Sequence, residues 1–473
     1  MSEVQQGGSE YLEKRQLNQG AAGWVLLAGL GVAYVISGDY AGWNIGLSEG
    51  GWGGLLIATI LMAVMYTCMV FALAEMSTMI PTAGGGYGFA RRALGPLGGF
   101  MTGTAILIEY AIAPAAIAVF IGAYVDSLIG IGGIPVYIAM YVIFVGIHLY
   151  GVGEALKLIF VITAIAAVAL LAFVVGMIPK FDAANLTNIA PNDASGASDF
   201  LPFGYAGILA AFVYGIWFFL AIEGVPLAAE EARNPAKDMP RGLIVGMLVL
   251  LVFAALILVF AAGGSGADVI KEDGNPLVTS LETAYDGKTA LSRFVNAVGL
   301  LGLIASFFSI IYGYSRQLFA LSRAGYLPTG LSVTSSRKVP SVALLVPGLI
   351  GLVLACIVGE DGGGTLIQIA VFGATVSYVL MMISHIVLRV KEPDLERPYR
   401  TPGGVATSAL ALFLACAAVV AVFFVDEKAA LITLGVYAAF IAYFLLYSRH
   451  HLVASAPEEE FAAIEASERE IAR

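Results

Sequence analysis

Charge is scarce in this chain. Only 12% of its 473 residues are Asp, Glu, Lys or Arg, where soluble domains carry about 25%. A soluble fold needs a wettable exterior, and a chain that is 59% hydrophobic has too little polar surface to make one. Lipid is therefore the expected solvent. Cysteine is equally sparse: Cys68, Cys356 and Cys416 all fall in apolar runs without CxxC spacing. That excludes a disulfide framework and a zinc site, and leaves small buried hydrophobes. His148, His385, His450 and His451 form no cluster with cysteine or acid, so neither a metal centre nor a membrane-embedded hydrolase has support, and no cofactor is expected. Basic and aromatic residues are not interleaved as nucleic-acid binding requires. The polar N-terminus, Met1 to Gln19, lacks a basic segment followed by an apolar one, so no cleaved signal peptide is expected. Much of the net charge of −10 sits in a C-terminal tail with Glu458, Glu459, Glu460, Glu465, Glu468 and Glu470, a solvated segment.

What the chain has instead is apolar runs of membrane length. A helix needs about 20 apolar residues to cross the hydrocarbon core. That ruler predicts twelve spans near 21–47, 53–79, 98–126, 132–149, 152–178, 204–231, 241–263, 293–320, 340–358, 364–389, 404–425 and 429–447. If the N-terminus is cytoplasmic, every Lys and Arg falls on the inside except Lys180, Lys271, Lys288, Arg293 and Lys428, as the positive-inside rule asks. The expected layout is one transporter domain at 21–447 between cytoplasmic tails, 1–20 and 448–473, with multi-pass placement in the cell (inner) membrane. Loops at 180–203 and 264–290 carry the Asn, Asp, Gly and Pro of turns.

Two spans are interrupted. The first contains Ser37-Gly38-Asp39-Tyr40-Ala41-Gly42-Trp43-Asn44, and the sixth contains Leu220-Ala221-Ile222-Glu223-Gly224-Val225-Pro226. A carboxylate at the bilayer centre costs roughly 2.5–3.5 kcal/mol, and glycine and proline loosen the helical ladder at the same places. Unwound backbone at that depth is tolerated where it lines a cavity or is buried in protein. Spans 1 and 6 lie five apart and run in opposite directions, the arrangement of a five-plus-five inverted repeat whose broken helices form a substrate site. The competing reading is that these glycines only permit close helix packing.

Several segments match a known pattern. Glu223-Gly224, Glu230-Glu231-Ala232-Arg233-Asn234-Pro235 and Met239-Pro240-Arg241 resemble the span-6 signature of the amino acid–polyamine–organocation (APC) transporter superfamily. So do Glu75 with Pro81-Thr82-Ala83-Gly84-Gly85-Gly86-Tyr87, and Tyr314-Ser315-Arg316 with Ala324-Gly325-Tyr326-Leu327-Pro328. More narrowly, residues 36–44 and Ile108-Glu109-Tyr110-Ala111-Ile112-Ala113-Pro114-Ala115 resemble the ethanolamine permeases. The resemblance implies an all-α, twelve-span membrane transporter of the APC/LeuT-type fold. Amino-acid members carry a Gly-Ser-Gly-like element whose N–H groups hold the substrate carboxylate, and a helix N-terminus suits an anion. Here Gly42-Trp43-Asn44 sets an indole where serine would sit, and Asp39 adds negative charge. Both features favour a cation such as protonated ethanolamine.

The expected substrate-binding residues are Ser37, Gly38, Asp39, Gly42, Trp43, Asn44, Glu109, Tyr110, Trp217, Phe219 and Glu223. Asp39 is the first choice for ammonium counter-ion through a charge-assisted hydrogen bond, against a plain N-cap. Glu109 is a functional candidate as an intramembrane acid, against a helix-packing bond. Glu223 resembles the superfamily's span-6 acid, with a gating or proton-linked role, against a structural acid bridging freed backbone groups. Trp217 matches an aromatic that closes over substrate in related antiporters and suits an ammonium by cation–π attraction, against plain packing; Tyr40 and Phe219 are weaker versions.

For the coupling ion, H⁺ or Na⁺, some relatives place a lysine midway along span 5. Here that register falls near Ala166. Ser306 and Ser309 offer hydroxyls for sodium, although such serines usually bond their own backbone. Gly46-Leu47-Ser48-Glu49-Gly50 and Ser335-Ser336-Arg337-Lys338 match nucleophile strings by letter only, since neither context is that of a hydrolase. The expected function is uptake of ethanolamine by alternating access. The alternatives are an amino acid or polyamine permease of the same superfamily and a non-transporting membrane sensor on the same fold.

Overall fold

A chain in lipid must close its backbone hydrogen bonds within each segment, and every long apolar run here becomes a helix. The structure, a computed structural model, describes residues 22–81, 84–151 and 153–452. The N-terminal tail, most of the acidic C-terminal tail, Thr82-Ala83 and the side chains of Lys157 and Glu230 lie outside the described residues. In chain order the helices are α1 (Trp24–Val35), α2 (Gly46–Met79), α3 (Gly86–Ile129), α4 (Ile134–Tyr150), α5 (Gly153–Met177), α6 (Gly204–Trp217), α7 (Pro235–Ser265), α8 (Ala290–Arg323), α9 (Ser341–Val358), α10 (Gly363–Lys391), α11 (Val405–Val425) and α12 (Glu427–Leu446). Among the described residues 10 helical stretches are long and apolar enough to cross a membrane, and α1 and α4 are shorter apolar helices.

Local chemistry sets the boundaries. Two long helices bend where glycine takes a positive φ: α2 at Gly51 (+63°), the turn between spans 1 and 2, and α3 at Gly95 (+79°). The seventh span starts at Pro235, earlier than the expected 241, because Pro suits the first helical turn, where its missing N–H costs nothing. The stretch 264–290, expected as a turn-rich loop, holds short helices at Ala267–Ile270 and Pro276–Ala284.

The packing of the first ten spans repeats itself. α2 packs on α6 as α7 packs on α1, and α3 packs on α10 as α8 packs on α5. Adding five to each span number, and wrapping from ten back to one, turns each contact into its partner. That is the signature of the inverted repeat. α11 and α12 lie outside this exchange, with α11 against α10 and α2, and α12 against α10 and α3. The core buries the interrupted parts of spans 1 and 6, while α4, α5, α9 and α12 expose rows of Ile, Leu and Val.

Candidate functional site

The first span breaks just after its acid. Ser37–Tyr40 forms a further helical turn, Ala41 is extended, Gly42 has φ +93°, and a 3-10 turn Trp43–Ile45 leads into α2. Ser37, Gly38 and Asp39, expected within the interruption, are therefore helical. The two glycines differ in backbone: Gly42 supplies the left-handed conformation that side chains resist as well as room for the Trp217 indole, while Gly38 allows contact only. A Cβ on Gly38 would press into the carbonyl oxygen of Trp217.

In the sixth span α6 stops at Trp217, Ala221 takes φ +78°, and Ile222–Glu231 continues as a 3-10 helix containing Pro226. Such runs are usually only three or four residues long.

The two breaks touch. The Trp217 indole N–H donates to the Ala41 carbonyl at 2.9 Å, and Trp43 stacks on Phe218 with centroids 5.5 Å apart. The Gly42 N–H donates to Asn44 Oδ1 (3.1 Å), and the Asn44 amide donates to the carbonyls of Ile270 (2.6 Å) and Asp273 (2.9 Å). Asn44 thus straps the break to the 267–275 segment, with each of its polar atoms engaged. Ser37 donates to Ser306, which donates to the Tyr34 carbonyl, joining spans 1 and 8. Ser309 bonds back to Ala305 in its own helix. The Tyr40 hydroxyl donates to the carbonyl of Ala166 at 2.7 Å, in the span-5 register noted above.

Three acids are buried at this level, in two places. Asp39 is fully buried and neither carboxylate oxygen has a protein partner; Tyr40 follows it in the same helical turn. Glu109 and Glu223 stand together, each within electrostatic reach of the other. Tyr110 donates to Glu223 Oε1 (3.2 Å), Tyr378 donates to Oε2 (3.1 Å), and Tyr66 bonds Tyr378 (2.8 Å). Phe219 packs on the Tyr66 ring at 5.4 Å, and Tyr34 stacks on Tyr110 at 6.2 Å. Glu109 is engaged with the Glu223 carboxyl, while the Tyr34 hydroxyl lacks a protein partner. Gly224 makes room for this ring cluster, since a Cβ there would lie 2.6 Å from the Tyr110 hydroxyl.

Sequence reasoning missed Tyr34, Tyr66 and Tyr378. A tyrosine in a membrane helix has little insertion penalty and no periodicity to mark it. It also did not match Arg316, a rim residue suited to a salt bridge, with Glu231. Arg316 donates to Glu231 Oε1 at 3.1 Å from Nη2 and 3.3 Å from Nε, and Tyr312 donates to the same oxygen at 2.6 Å. Backbone bonds between Ala22 and the Glu231–Arg233 segment join the start of span 1 to the end of this 3-10 helix. Further toward that end Glu75 accepts from Arg389, from Arg397 at 3.0 Å and from the Thr401 N–H at 2.7 Å. These bonds tie α2 to α10 and to the loop after it.

The opposite end opens into a cavity of about 830 Å³ lined by Asp126, Glu272, Asp273, Glu282, Glu360 and Asp361, with no Lys or Arg among its lining residues. Its floor includes Phe120, whose ring meets Trp217 edge-on at 6.5 Å. Aromatic side chains thus separate an acidic vestibule from a closed layer of buried acids. Such an arrangement can admit, hold and pass on a small polar solute.

Comparison with known proteins gives the same class. The sequence profile of the amino acid permease family matches residues 26–447. An uncharacterized transporter of Rhizobium meliloti is 31% identical over 409 residues, covering 83% of this chain and 84% of its own. A branched-chain amino acid permease of Bacillus subtilis is 26% identical over 421 residues (84% and 86%), and a methylthioribose transporter of the same organism is 27% identical over 391 residues (78% and 79%). The chain belongs to the amino acid permease family of the APC superfamily, a family of membrane transporters and not of enzymes.

Proposed function

We propose that this transporter carries a small protonated amine, ethanolamine, into the cell by alternating access, with both termini in the cytoplasm. One observation carries the reading: the vestibule is lined by acids without a base, and the layer beneath it buries Asp39 without a protein partner. A vestibule of one sign concentrates ions of the other. An unpaired buried carboxylate is costly, and a substrate ammonium supplies the missing donors. Asp39 is the proposed counter-ion, with the Trp217, Tyr40 and Phe219 rings beside the breaks. A substrate carboxylate, by contrast, needs free N–H groups. The Gly42 N–H is already bonded to Asn44, and Trp43 fills its space against Phe218. Glu223, held by two tyrosines, is the proposed gating or proton-linked group; Ser306 and Ser309 are the proposed sodium contacts.

The second reading, an amino acid as substrate, is supported by the branched-chain amino acid permease among the relatives. Uptake of labelled ethanolamine into proteoliposomes, with amino acids as competitors and imposed H⁺ or Na⁺ gradients, separates the two. Saturable ethanolamine uptake that leucine and valine do not inhibit supports the first. Leucine uptake with no ethanolamine uptake overturns it.

A further inference from the structure

At the end of the bundle where Lys and Arg collect, a groove of about 360 Å³ runs between the start of α7 and the loop after α10. Its polar lining is basic: Lys237 and Arg241 are both exposed and sit one turn apart on a single face of α7. Ile244, Val245 and Tyr399 supply its apolar wall. The nearest acid on the same helix, Asp238, is occupied as a cap on the Asn234 N–H at 3.0 Å. The face continues away from the groove as an apolar stripe. Val245, Leu248 and Val252 are 37%, 56% and 55% exposed, at spacings of three and four residues that keep them in line below Arg241.

We propose that this groove binds an anionic phospholipid of the adjacent leaflet, such as phosphatidylglycerol. Lys237 and Arg241 hold the phosphate, the Tyr399 ring lies at headgroup level, and one acyl chain follows Val245, Leu248 and Val252. Charge and shape both favour a lipid over a free anion. Two cations at the rim match one phosphodiester, basic pockets between membrane helices bind such headgroups, and the stripe gives a chain somewhere to lie. The site is independent of the transported substrate, so it stands or falls separately from the ethanolamine reading.

The test is native mass spectrometry of the detergent-purified protein titrated with phosphatidylglycerol or phosphatidylcholine, with glycerol 3-phosphate as a headgroup-only competitor. Phosphatidylglycerol is expected to bind preferentially. The Lys237→Gln/Arg241→Gln double variant loses about thirtyfold in affinity, at about a factor of five per basic side chain. Lys237→Arg/Arg241→Lys keeps most of the binding. Both positions are exposed, so thermal stability in lipid-free detergent should not change and serves as the folding control. Equal binding of the two lipids, or full binding by the glutamine variant, overturns the proposal. So does displacement of the lipid by glycerol 3-phosphate at equal concentration, which would mark a site for a free anion.

Discussion

Replacing Gly224 with alanine has an outcome opposite in sign to the usual rule. Gly→Ala at a position with ordinary backbone angles normally stabilises a protein by about 0.4–1 kcal/mol, because the unfolded chain loses freedom. Gly224 lies inside the 3-10 segment of span 6, and its new Cβ would stand 2.6 Å from the Tyr110 hydroxyl and 3.1 Å from two atoms of the Tyr34 ring. The hydroxyl has to retreat by most of an ångström. Its bond to Glu223 is already 3.2 Å long, so the retreat breaks it. Overpacking costs about 1–3 kcal/mol and the lost bond about 0.5–1.5 kcal/mol. Gly224→Ala should therefore lower the melting temperature in detergent and slow transport. In Gly224→Ala/Tyr110→Phe the clashing oxygen is gone, and the clash part of the loss should be recovered. A Gly224→Ala protein at least as stable as the parent would refute the packing described around Glu223.

Other variants address other parts of the path. Trp43→Ser opens the space against Phe218 and should admit α-amino acids as competitors while weakening ethanolamine uptake, since exclusion often sets specificity; an unaltered competition profile counts against it. Glu223→Gln keeps size and removes the titratable group, so the pH–rate profile should change with little loss of stability; an unchanged profile removes Glu223 from proton linkage. Arg316→Gln strands the buried Glu231 carboxylate and should destabilise by about 3–5 kcal/mol. Arg316→Gln/Glu231→Gln should recover much of that, whereas additive losses in the double variant would show that the pair is not coupled.

The spans, their number and the location of both interruptions were legible because lipid imposes a simple rule: long apolar runs are helices, and an acid beside glycine at membrane depth marks a cavity or protein interior. The role of each residue within the interruptions was less legible. Gly38 and Gly42 look alike in sequence, yet one permits contact with the Trp217 carbonyl and the other carries φ +93°. In span 6 the left-handed residue is Ala221, although Gly224 stands three residues away, because Gly224 is needed where Tyr34 and Tyr110 crowd it. Asn44 reads as a site residue from its neighbours in sequence, but its partners, Ile270 and Asp273, lie more than two hundred residues on. The pairing of Glu223 with Tyr378 and of Glu231 with Arg316 likewise depends on tertiary contacts that no local pattern encodes.

The central claim is that an acid beside the first break holds a substrate ammonium, and equilibrium binding of labelled ethanolamine to purified Asp39→Asn protein tests it most directly. Asp39 lies inside a helical turn and neither of its oxygens caps a helix, so exchange for the similarly sized Asn removes the charge and little else. If Asp39 is the counter-ion, affinity falls by roughly one to two orders of magnitude, the scale of a hydrogen bond to a charged group, while the melting temperature stays near that of the parent. Parental ethanolamine affinity in a folded Asp39→Asn protein would contradict the claim and transfer the role to Glu109.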